Sequence, residues 1–201
     1  MAGRAAAKPR KDERIPPRDR ILAVAADLFY RHGIRAVGVD AIAEAAGTNK
    51  MTLYRHFPSK DALVAEYLRQ KAAKANECWQ RYERRHPGDA LAQLRMWLKD
   101  EGDHIADRAA RGCPVANAAI ELAEKDHPVR PVIEEVKTAY HKRLVGLCRS
   151  AGLAEPEMLA DELHLLLEGA RVRAQTVGPK GLGARLMRMG DALIAAHAAG
   201  K

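Results

Sequence analysis

The chain has 201 residues, 47% of them apolar, and its 34 lysines and arginines exceed its 26 aspartates and glutamates, for a formal net charge of +8. This apolar share excludes disorder throughout, because a chain of this length can bury the core of one large or two small domains. No run of about 20 apolar residues and no apolar leader occurs, so we expect a cytoplasmic protein without membrane spans. Three scattered cysteines without a C-x-x-C pair favour neither a disulfide framework nor a zinc site, and no metal or cofactor is expected.

The positive charge is concentrated at the start of the chain. Residues 1–60 carry 12 Lys/Arg and 6 Asp/Glu, a net of +6, whereas residues 61–201 are close to neutral. A basic module joined to a nearly balanced remainder indicates that the first part binds a polyanion and that the second has another task. A solvated basic tail would explain the same distribution.

Nearly every segment is typical of helix, because Ala and Leu dominate, β-branched runs are missing, and Pro and Gly fall between the periodic stretches. Residues 1–15 lack apolar periodicity and are predicted to form a disordered basic arm. This arm, with Arg18 and Arg20 just after it, either adds phosphate or minor-groove contacts or is a spectator. The nine predicted helices cover about residues 16–33, 39–46, 50–57, 59–84, 89–109, 114–126, 128–150, 155–177 and 182–199.

Residues 39–57, VDAIAEAAGTNKMTLYRHF, have the pattern of a helix-turn-helix, in which two short amphipathic helices are joined by a turn at Gly47. Ala43 and Gly47 are small enough for the helices to cross closely, and Ile42 and Leu53 can pack between them. The outward side of the second helix then carries cations, hydroxyls and apolar groups that suit phosphates and base edges in a major groove. A plain helical hairpin with a solvated charged face has the same periodicity.

Three motifs lie without a gap within about residues 17–66. They are Ile21-Leu22-x-x-Ala25-x-x-Leu28-Phe29-x-x-x-Gly33, Ile42-Ala43-x-x-Ala46-Gly47, and Lys50-x-Thr52-Leu53-Tyr54-x-His56-Phe57 followed by Ser59-Lys60-x-x-Leu63. Together they closely resemble the tetracycline-repressor (TetR/AcrR) family of bacterial transcriptional regulators. The resemblance covers roughly a quarter of the chain, and the joint match is far more specific than any one motif.

The resemblance implies an all-α protein of about nine helices. A three-helix helix-turn-helix DNA-binding domain would span residues 16–60, after an arm at 1–15, and a helical domain for effector binding and dimerisation would span 61–201. The implied function is a DNA-binding transcriptional repressor that a small-molecule effector releases from a palindromic double-stranded operator. The implied assembly is a homodimer formed through the last two helices.

The predicted DNA-binding residues lie on the third helix, at its cap and at the start of the fourth helix. The resemblance implies that Lys50 and Met51 approach base edges and that Lys60 binds a phosphate at a helix N-terminus. The hydroxyls of Thr52 and Tyr54 and the imidazole of His56 would contact the DNA backbone, as hydrogen-bonding groups can do without reading sequence. The full predicted set is Asn49, Lys50, Met51, Thr52, Tyr54, Arg55, His56 and Lys60.

The last two predicted helices carry apolar residues at helical spacing that either pair with a second copy or fill the core of one chain. Gly169, Gly183 and Gly190 would allow a close approach. The apolar residues are Leu159, Leu163, Leu166, Leu167, Ala170, Leu182, Leu186, Met189, Leu193 and Ala196.

The effector pocket is expected among helices four to eight, although each candidate residue also suits the core or the surface. His164, Glu168 and Arg171 share a helical face and form either a polar patch for an anionic or hydrogen-bonding ligand or an interhelical salt-bridge network. Cys113 precedes a helix N-terminus, where it is either an oxidant-sensing thiol or an inert buried one. The predicted ligand-binding residues are Trp79, Trp97, Cys113, Asn117, Tyr140, His164, Glu168 and Arg171.

Two other classes of function stay open at this level. An all-helical enzyme would use the eight histidines and the glycine-containing loop at 178–183, but the P-loop, zinc-protease and nucleophile-elbow motifs are missing. A protein-binding adaptor would leave the basic first 60 residues unexplained. We therefore predict a non-enzymatic regulator.

Overall fold

The computed structural model describes residues 15–198, so nearly all of the predicted basic arm lies outside the described residues. Within this range every regular element is an α-helix, which confirms the all-α prediction. The nine helices are α1 (Pro17–His32), α2 (Val39–Ala45), α3 (Lys50–His56), α4 (Lys60–Arg85), α5 (Ala90–Ala106), α6 (Pro114–Glu121), α7 (Arg130–Ser150), α8 (Pro156–Val177) and α9 (Leu182–Ala198). Over the same residues, no helix combines the length and the apolarity that a membrane span requires.

Side-chain caps define several helix starts where the sequence predicted them. The Asn49 Oδ1 accepts a hydrogen bond from the Thr52 N–H at 2.9 Å, and the Ser59 Oγ accepts one from the Ala62 N–H at 3.0 Å. Each cap satisfies a backbone donor that has no partner inside its helix. The two caps hold α3 and the start of α4 close together along the chain.

Two helices end earlier than predicted. At the end of α5, Asp107 leaves the helical region, and its Oδ1 accepts from the Ala109 N–H at 2.9 Å, a local turn that competes with further helix. After α6, the buried Leu122 leaves the helical region, and a turn closed by the His127 N–H and the Glu124 carbonyl follows. The predicted ends at residues 109 and 126 are therefore wrong.

The chain divides into two units between Tyr67 and Leu68, within α4. The predicted domain boundary after residue 60 stays a prediction. The first unit contains α1 to α3 and the start of α4, and its core includes Ile21, Ile42 and Leu53, all fully buried. Ile42 and Leu53 are thus core residues of the helix-turn-helix, as the periodicity predicted.

In the second unit, α5 packs against α7, α8 and α9, and α7 also packs against α6 and α8. Trp97 lies at the centre, stacked on Trp79 with ring centroids 6.3 Å apart, and Tyr140 packs against Trp79 at 5.6 Å. These aromatic rings anchor the second half of α4 to α5 and α7.

Most of the apolar pattern of the last two helices belongs to the core of one chain. Leu159, Leu163 and Leu167 of α8 are buried, as are Leu182 and Leu186 of α9. The pattern therefore arises largely from core packing, the alternative that it left open.

Two of the three glycines in that pattern also serve packing within the chain. A Cβ added to Gly183 would collide with the Gly102 carbonyl of α5, and one on Gly190 would collide with the Leu98 side chain. These positions let α9 lie directly against α5. Gly169, in contrast, is exposed and has no atom within 4 Å of an added Cβ.

Candidate functional sites

The outward side of α3 carries four exposed side chains. Leu53 is fully buried and marks the inner side of the helix, whereas Lys50, Met51, Tyr54 and Arg55 are exposed. At 3.6 residues per turn these four positions lie within about 140° of one another around the helix axis. Met51 is 82% exposed, the largest value among the exposed apolar side chains of the described chain. Such an apolar group on a cationic surface is suited to contact with an apolar partner.

Thr52 lies beside that side and His56 nearly opposite its centre, and both are half-buried. The His56 Nε2 is fully buried and has no hydrogen-bond partner among the described residues, so only the other imidazole nitrogen remains for an external contact. The Asn49 Oδ1 is occupied by its helix cap, which leaves the amide N–H groups of Asn49 for a ligand.

The two predicted lysines occupy helix starts. The Lys50 Nζ lies 3.2 Å from the Asp40 Oδ2, and both side chains are more than half exposed. An ion pair this exposed contributes at most about 1 kcal/mol, so Lys50 can exchange Asp40 for another anion at little cost. Lys60 is the first residue of α4, directly after the Ser59 cap, where the helix dipole favours an anion.

Arg18 and Arg20 are engaged within the first unit. Arg18 pairs with Glu66 at 2.8 Å and lies over the Phe57 ring at 5.2 Å. Arg20 donates to the Ala46 carbonyl at 3.3 Å and so ties α1 to the turn between α2 and α3. Both arginines therefore position the helix-turn-helix, a role that their charge in the sequence did not reveal.

The second unit contains a cavity of about 150 Å³ that is bounded by α4 to α8. Cys113, Tyr140 and Arg171, three of the eight predicted ligand residues, line it. The predicted Glu168 lies behind this wall, where it pairs with Arg171 and Lys137. The structure thus brings half of the predicted set together at one place.

Arg171 is the centre of a polar network in the cavity wall. Its Nη1 donates to the Glu168 Oε1 and its Nη2 to the Glu101 Oε2, both at 2.8 Å. Lys137 donates to the same Glu168 oxygen at 2.9 Å. The Tyr140 hydroxyl donates to the Glu101 Oε1 at 3.0 Å and accepts from the Trp97 indole N–H at 2.7 Å. The network joins α5, α7 and α8.

Burial and neighbouring charges fix the protonation states of this network. Burial, reinforced by the Glu101 carboxylate, raises the pKa of Tyr140 well above its usual value, so it stays a neutral hydroxyl. Burial opposes ionisation of Glu168, but His164, Arg171 and Lys137 together hold its pKa well below the usual range. His164 acts here at 3.6 Å, an ion-pair distance too long for a hydrogen bond. Glu168 is therefore a carboxylate at neutral pH.

The other predicted ligand residues lie outside the cavity lining. Trp79 and Trp97 are buried in the aromatic core, and the Asn117 side chain donates to the Arg111 carbonyl at 2.7 Å. The His164 ring packs against Tyr140 with centroids 5.6 Å apart. They therefore do not line this cavity, since aromatic and polar composition alone does not distinguish core from cavity, and their contact with a ligand stays a prediction.

Sequence reasoning missed Lys71, Glu101 and Lys137, which also line the cavity. Glu101 lies 70 positions from its partner Arg171, and Lys137 lies 31 positions from Glu168. No local spacing rule links residues at such separations. Only the packing of α5, α7 and α8 brings them together.

A second notable surface is the outward side of α8. Met158, Leu165 and Val172 are exposed and seven residues apart, so they form one apolar stripe, with Gly169 between the last two. Met189 of α9 is also exposed and lines an open groove of about 510 Å³ between α8 and α9. We call this surface, Met158, Leu165, Gly169, Val172 and Met189, the α8–α9 face.

Comparison with known proteins gives a consistent result. Residues 21–67 match the family model of bacterial regulatory proteins of the tetR family. The uncharacterized HTH-type transcriptional regulator Mb1581 of Mycobacterium bovis is 38% identical over 162 residues, which is 77% of this chain and 73% of that protein. The HTH-type transcriptional regulator AcrR of Shigella flexneri is 34% identical over 92 residues, which is 46% of this chain and 43% of AcrR. Several other curated relatives match over a still smaller part, less than a third of their own length.

A solved structure extends the likeness beyond the first unit. The crystal structure of SCO4454, a TetR-family transcriptional regulator from Streptomyces coelicolor, superimposes with a TM-score of 0.84 at 26% sequence identity. The match covers 90% of this chain and 95% of that one. The helix-turn-helix, the order of the nine described helices and these relatives agree, and the chain therefore belongs to the TetR family: it is a helix-turn-helix DNA-binding transcriptional regulator, not an enzyme.

Proposed function

We propose that this regulator is a repressor, which binds a palindromic operator as a homodimer and leaves it when a small-molecule effector occupies the cavity of the second unit. The observation that carries the proposal is the course of α4. This helix begins at Lys60, with three residues between it and the end of α3, and it continues to Ala72 and Ala75 in the cavity wall. One helix thus belongs both to the DNA-binding segment and to the cavity.

In this proposal residues 16–60 form the DNA-binding domain and α3 is the recognition helix. Lys50 and Met51 reach base edges, because both are exposed at the start of α3. Tyr54 and Lys60, with Thr52, hold the DNA backbone and set the register of the helix in the groove. Asn49, Arg55 and His56 complete the contact surface.

Residues 61–201 form the effector and dimerisation domain, and the α8–α9 face joins the two copies. Exposed apolar side chains repeated every seven residues favour pairing with a second helix, and Gly169 leaves room for its close approach. A two-fold axis through this face makes it self-complementary. Such a dimer presents two recognition helices about 34 Å apart, one turn of DNA, and so reads a palindrome in the cytoplasm.

Release requires an effector that binds one state of the dimer more tightly than the other. Because α4 contributes to the cavity wall, an occupant that changes the position of Ala72 and Ala75 acts on the helix that follows α3. The two states would then differ in the separation of the recognition helices.

Selection of bound duplex fragments from the source genome tests this proposal. We expect a recovered site with two inverted half-sites whose centres lie about 10 base pairs, or a multiple of this, apart. Adding the protein to a promoter that carries this site should lower transcription in vitro. A single unpaired half-site, or increased transcription, would contradict the dimeric repressor.

A further inference from the structure

We propose that the cavity of the second unit takes a small organic anion, a monocarboxylate with a compact apolar body of about one six-membered ring. The inference rests on the proposed function in one respect only, that the occupant of this cavity is the effector. It is carried by the size of the cavity, its apolar wall and the balance of hydrogen-bond donors and acceptors around it.

Size limits the body of the ligand. A cavity of about 150 Å³ is comparable to one that holds benzene. Ala72 and Ala75 of α4, Val115 of α6 and Val136 of α7 provide its apolar wall. Short side chains from α4 create the space, so a ring can lie there without displacing a core residue.

Each side-chain oxygen that lines the cavity already accepts or shares a hydrogen bond. The two Glu101 oxygens accept from Tyr140 and Arg171, and the Glu168 Oε1 accepts from both Arg171 and Lys137. The Tyr140 oxygen accepts from Trp97 and gives its own proton to Glu101. A ligand that donates hydrogen bonds would therefore have to share an oxygen that already has a donor, which makes it a poorer match to this wall.

Donors, in contrast, are in surplus. Arg171 has five N–H groups, and the hydrogen bonds of the described chain use two of them. Its buried Nε has no partner among residues 15–198. Lys137 has three N–H groups and gives one to Glu168. The ligand best suited to this wall brings acceptors.

Charge favours an anion over a neutral acceptor. The side chains that line the cavity include three cations, Lys71, Lys137 and Arg171, and one carboxylate, Glu101. With the Glu168 carboxylate behind the wall, which pairs with two of these cations, one positive charge remains in excess. A cationic ligand would face like charges at short range in a poorly solvated site. A carboxylate can accept two hydrogen bonds from such donors and neutralise their charge, which strengthens each bond.

Three probes of nearly equal shape test the inference: benzoate, its neutral analogue benzamide and its cationic analogue benzylammonium. Titration calorimetry on the full chain should show benzoate binding at least tenfold more tightly than benzamide, and no binding of benzylammonium. Equal binding of benzoate and benzamide, or no binding of benzoate, would overturn the inference.

Variants place the probe in the cavity. Lys137→Gln should weaken benzoate at least tenfold and leave benzamide nearly unchanged, because Glu168 keeps Arg171 as its partner. Ala75→Leu should fill the cavity and abolish binding of benzoate. The control for Lys137→Gln is Lys142→Gln, which changes an exposed lysine of α7 that does not line this cavity. Circular dichroism and operator binding show whether each variant is folded, and a folded Ala75→Leu that still binds benzoate would refute the site.

Operator affinity with and without saturating benzoate separates this inference from the proposed function. If benzoate binds with the stated selectivity but leaves operator affinity unchanged, the cavity is an anion site and the release mechanism fails. If another molecule releases the operator while benzoate does not bind, the repressor proposal stands and the anion inference fails.

Discussion

The candidate sites of the two units hold their cations in different ways. In the first, Lys50 is 53% exposed and its partner Asp40 is still more exposed. In the second, the Arg171 side chain is 13% exposed and is held by Glu101 and Glu168. Exposed cations stay hydrated and exchange partners cheaply, which suits a polyanion that is met at a surface. Buried cations need fixed partners, so they respond to a ligand that fits their geometry.

The two units also expose their apolar groups in different arrangements. Met51 lies among cations on α3, whereas Leu165 and Val172 lie in a stripe on α8. An isolated apolar group among cations suits a groove with a charged rim, and a stripe suits a second protein surface.

The largest effect is expected at the α8–α9 face. In the proposed dimer, in which the α8–α9 face joins the two copies, Leu165→Glu buries a carboxylate in the interface, so the dimer should dissociate. Operator affinity should fall by about 10²- to 10⁴-fold, because the second recognition helix no longer binds at high effective concentration. Light scattering coupled to size-exclusion chromatography measures the mass.

Ile120→Glu is the matched control, since Ile120 and Leu165 are both 74% exposed but Ile120 lies on α6. It should leave the mass and the affinity unchanged. A Leu165→Glu protein that keeps both the dimer mass and its operator affinity would remove α8 from the interface.

The next effect concerns the buried network. Glu101→Gln leaves Arg171 with one carboxylate that it shares with Lys137, and breaking a buried pair in this way costs about 3 kcal/mol of unfolding free energy. Urea unfolding measures the loss. Asp103 lies two positions after Glu101 in the sequence and is the exposed partner of Lys99, so Asp103→Asn should cost much less stability than Glu101→Gln. Equal costs for the two variants would show that burial does not distinguish these pairs.

Smaller effects are expected for single DNA contacts. Met51→Ala should cost about 1–3 kcal/mol of binding free energy and alter base preference at one position, whereas Lys60→Ala should weaken all duplexes alike. Fluorescence anisotropy with the selected site and point-mutated versions of it distinguishes the two patterns. Lys125→Ala, at an exposed lysine of the second unit, should change neither the affinity nor the base preference. Unaltered affinity in both test variants would contradict the proposal that the outward side of α3 and Lys60 contact DNA.

The smallest effect is the pH dependence that Glu168 contributes. Its pKa in the folded chain lies below its ordinary value near 4.5, so its contribution to stability is complete above that pH and is lost as the pH falls. Below pH 4.5 it adds a slope of up to about 1.4 kcal/mol per pH unit. Glu168→Gln should remove this slope from urea unfolding measured at pH 5, 4 and 3. The same slope in both proteins would show that Glu168 is not held ionised.

The fold was largely predictable because its signals are local. Prolines, caps such as Asn49 and Ser59, and apolar periodicity around Ile42 and Leu53 depend on residues within a few positions of one another. The helix-turn-helix was predictable for the same reason, since α2 and α3 lie within one 20-residue segment. The early end of α5 was missed because the local turn at Asp107 is a weaker signal than the helical composition around it.

The cavity was only half predictable because it depends on distant residues. Arg171 and Glu168 share a helical face and could be linked by spacing, but Glu101 and Lys137 come from two other helices. Whether Trp97 faces a core or a cavity depends on what α5 packs against. The apolar periodicity of α8 likewise indicated the side that packs into the core. The exposed apolar stripe that contains Leu165 and Val172 could be recognised only after the structure showed which side of α8 is buried.

In the proposed dimer, the second units of the two copies pair with each other, and the cations of both first units bind one operator. The most direct measurement is the salt dependence of operator affinity for the wild-type protein and for Leu165→Glu. Each phosphate contacted contributes a slope of about −0.9 to the logarithm of the binding constant against the logarithm of salt concentration. We predict a steep slope for the wild type and half that slope for the variant. A flat wild-type slope, or the same slope in both proteins, would contradict this account.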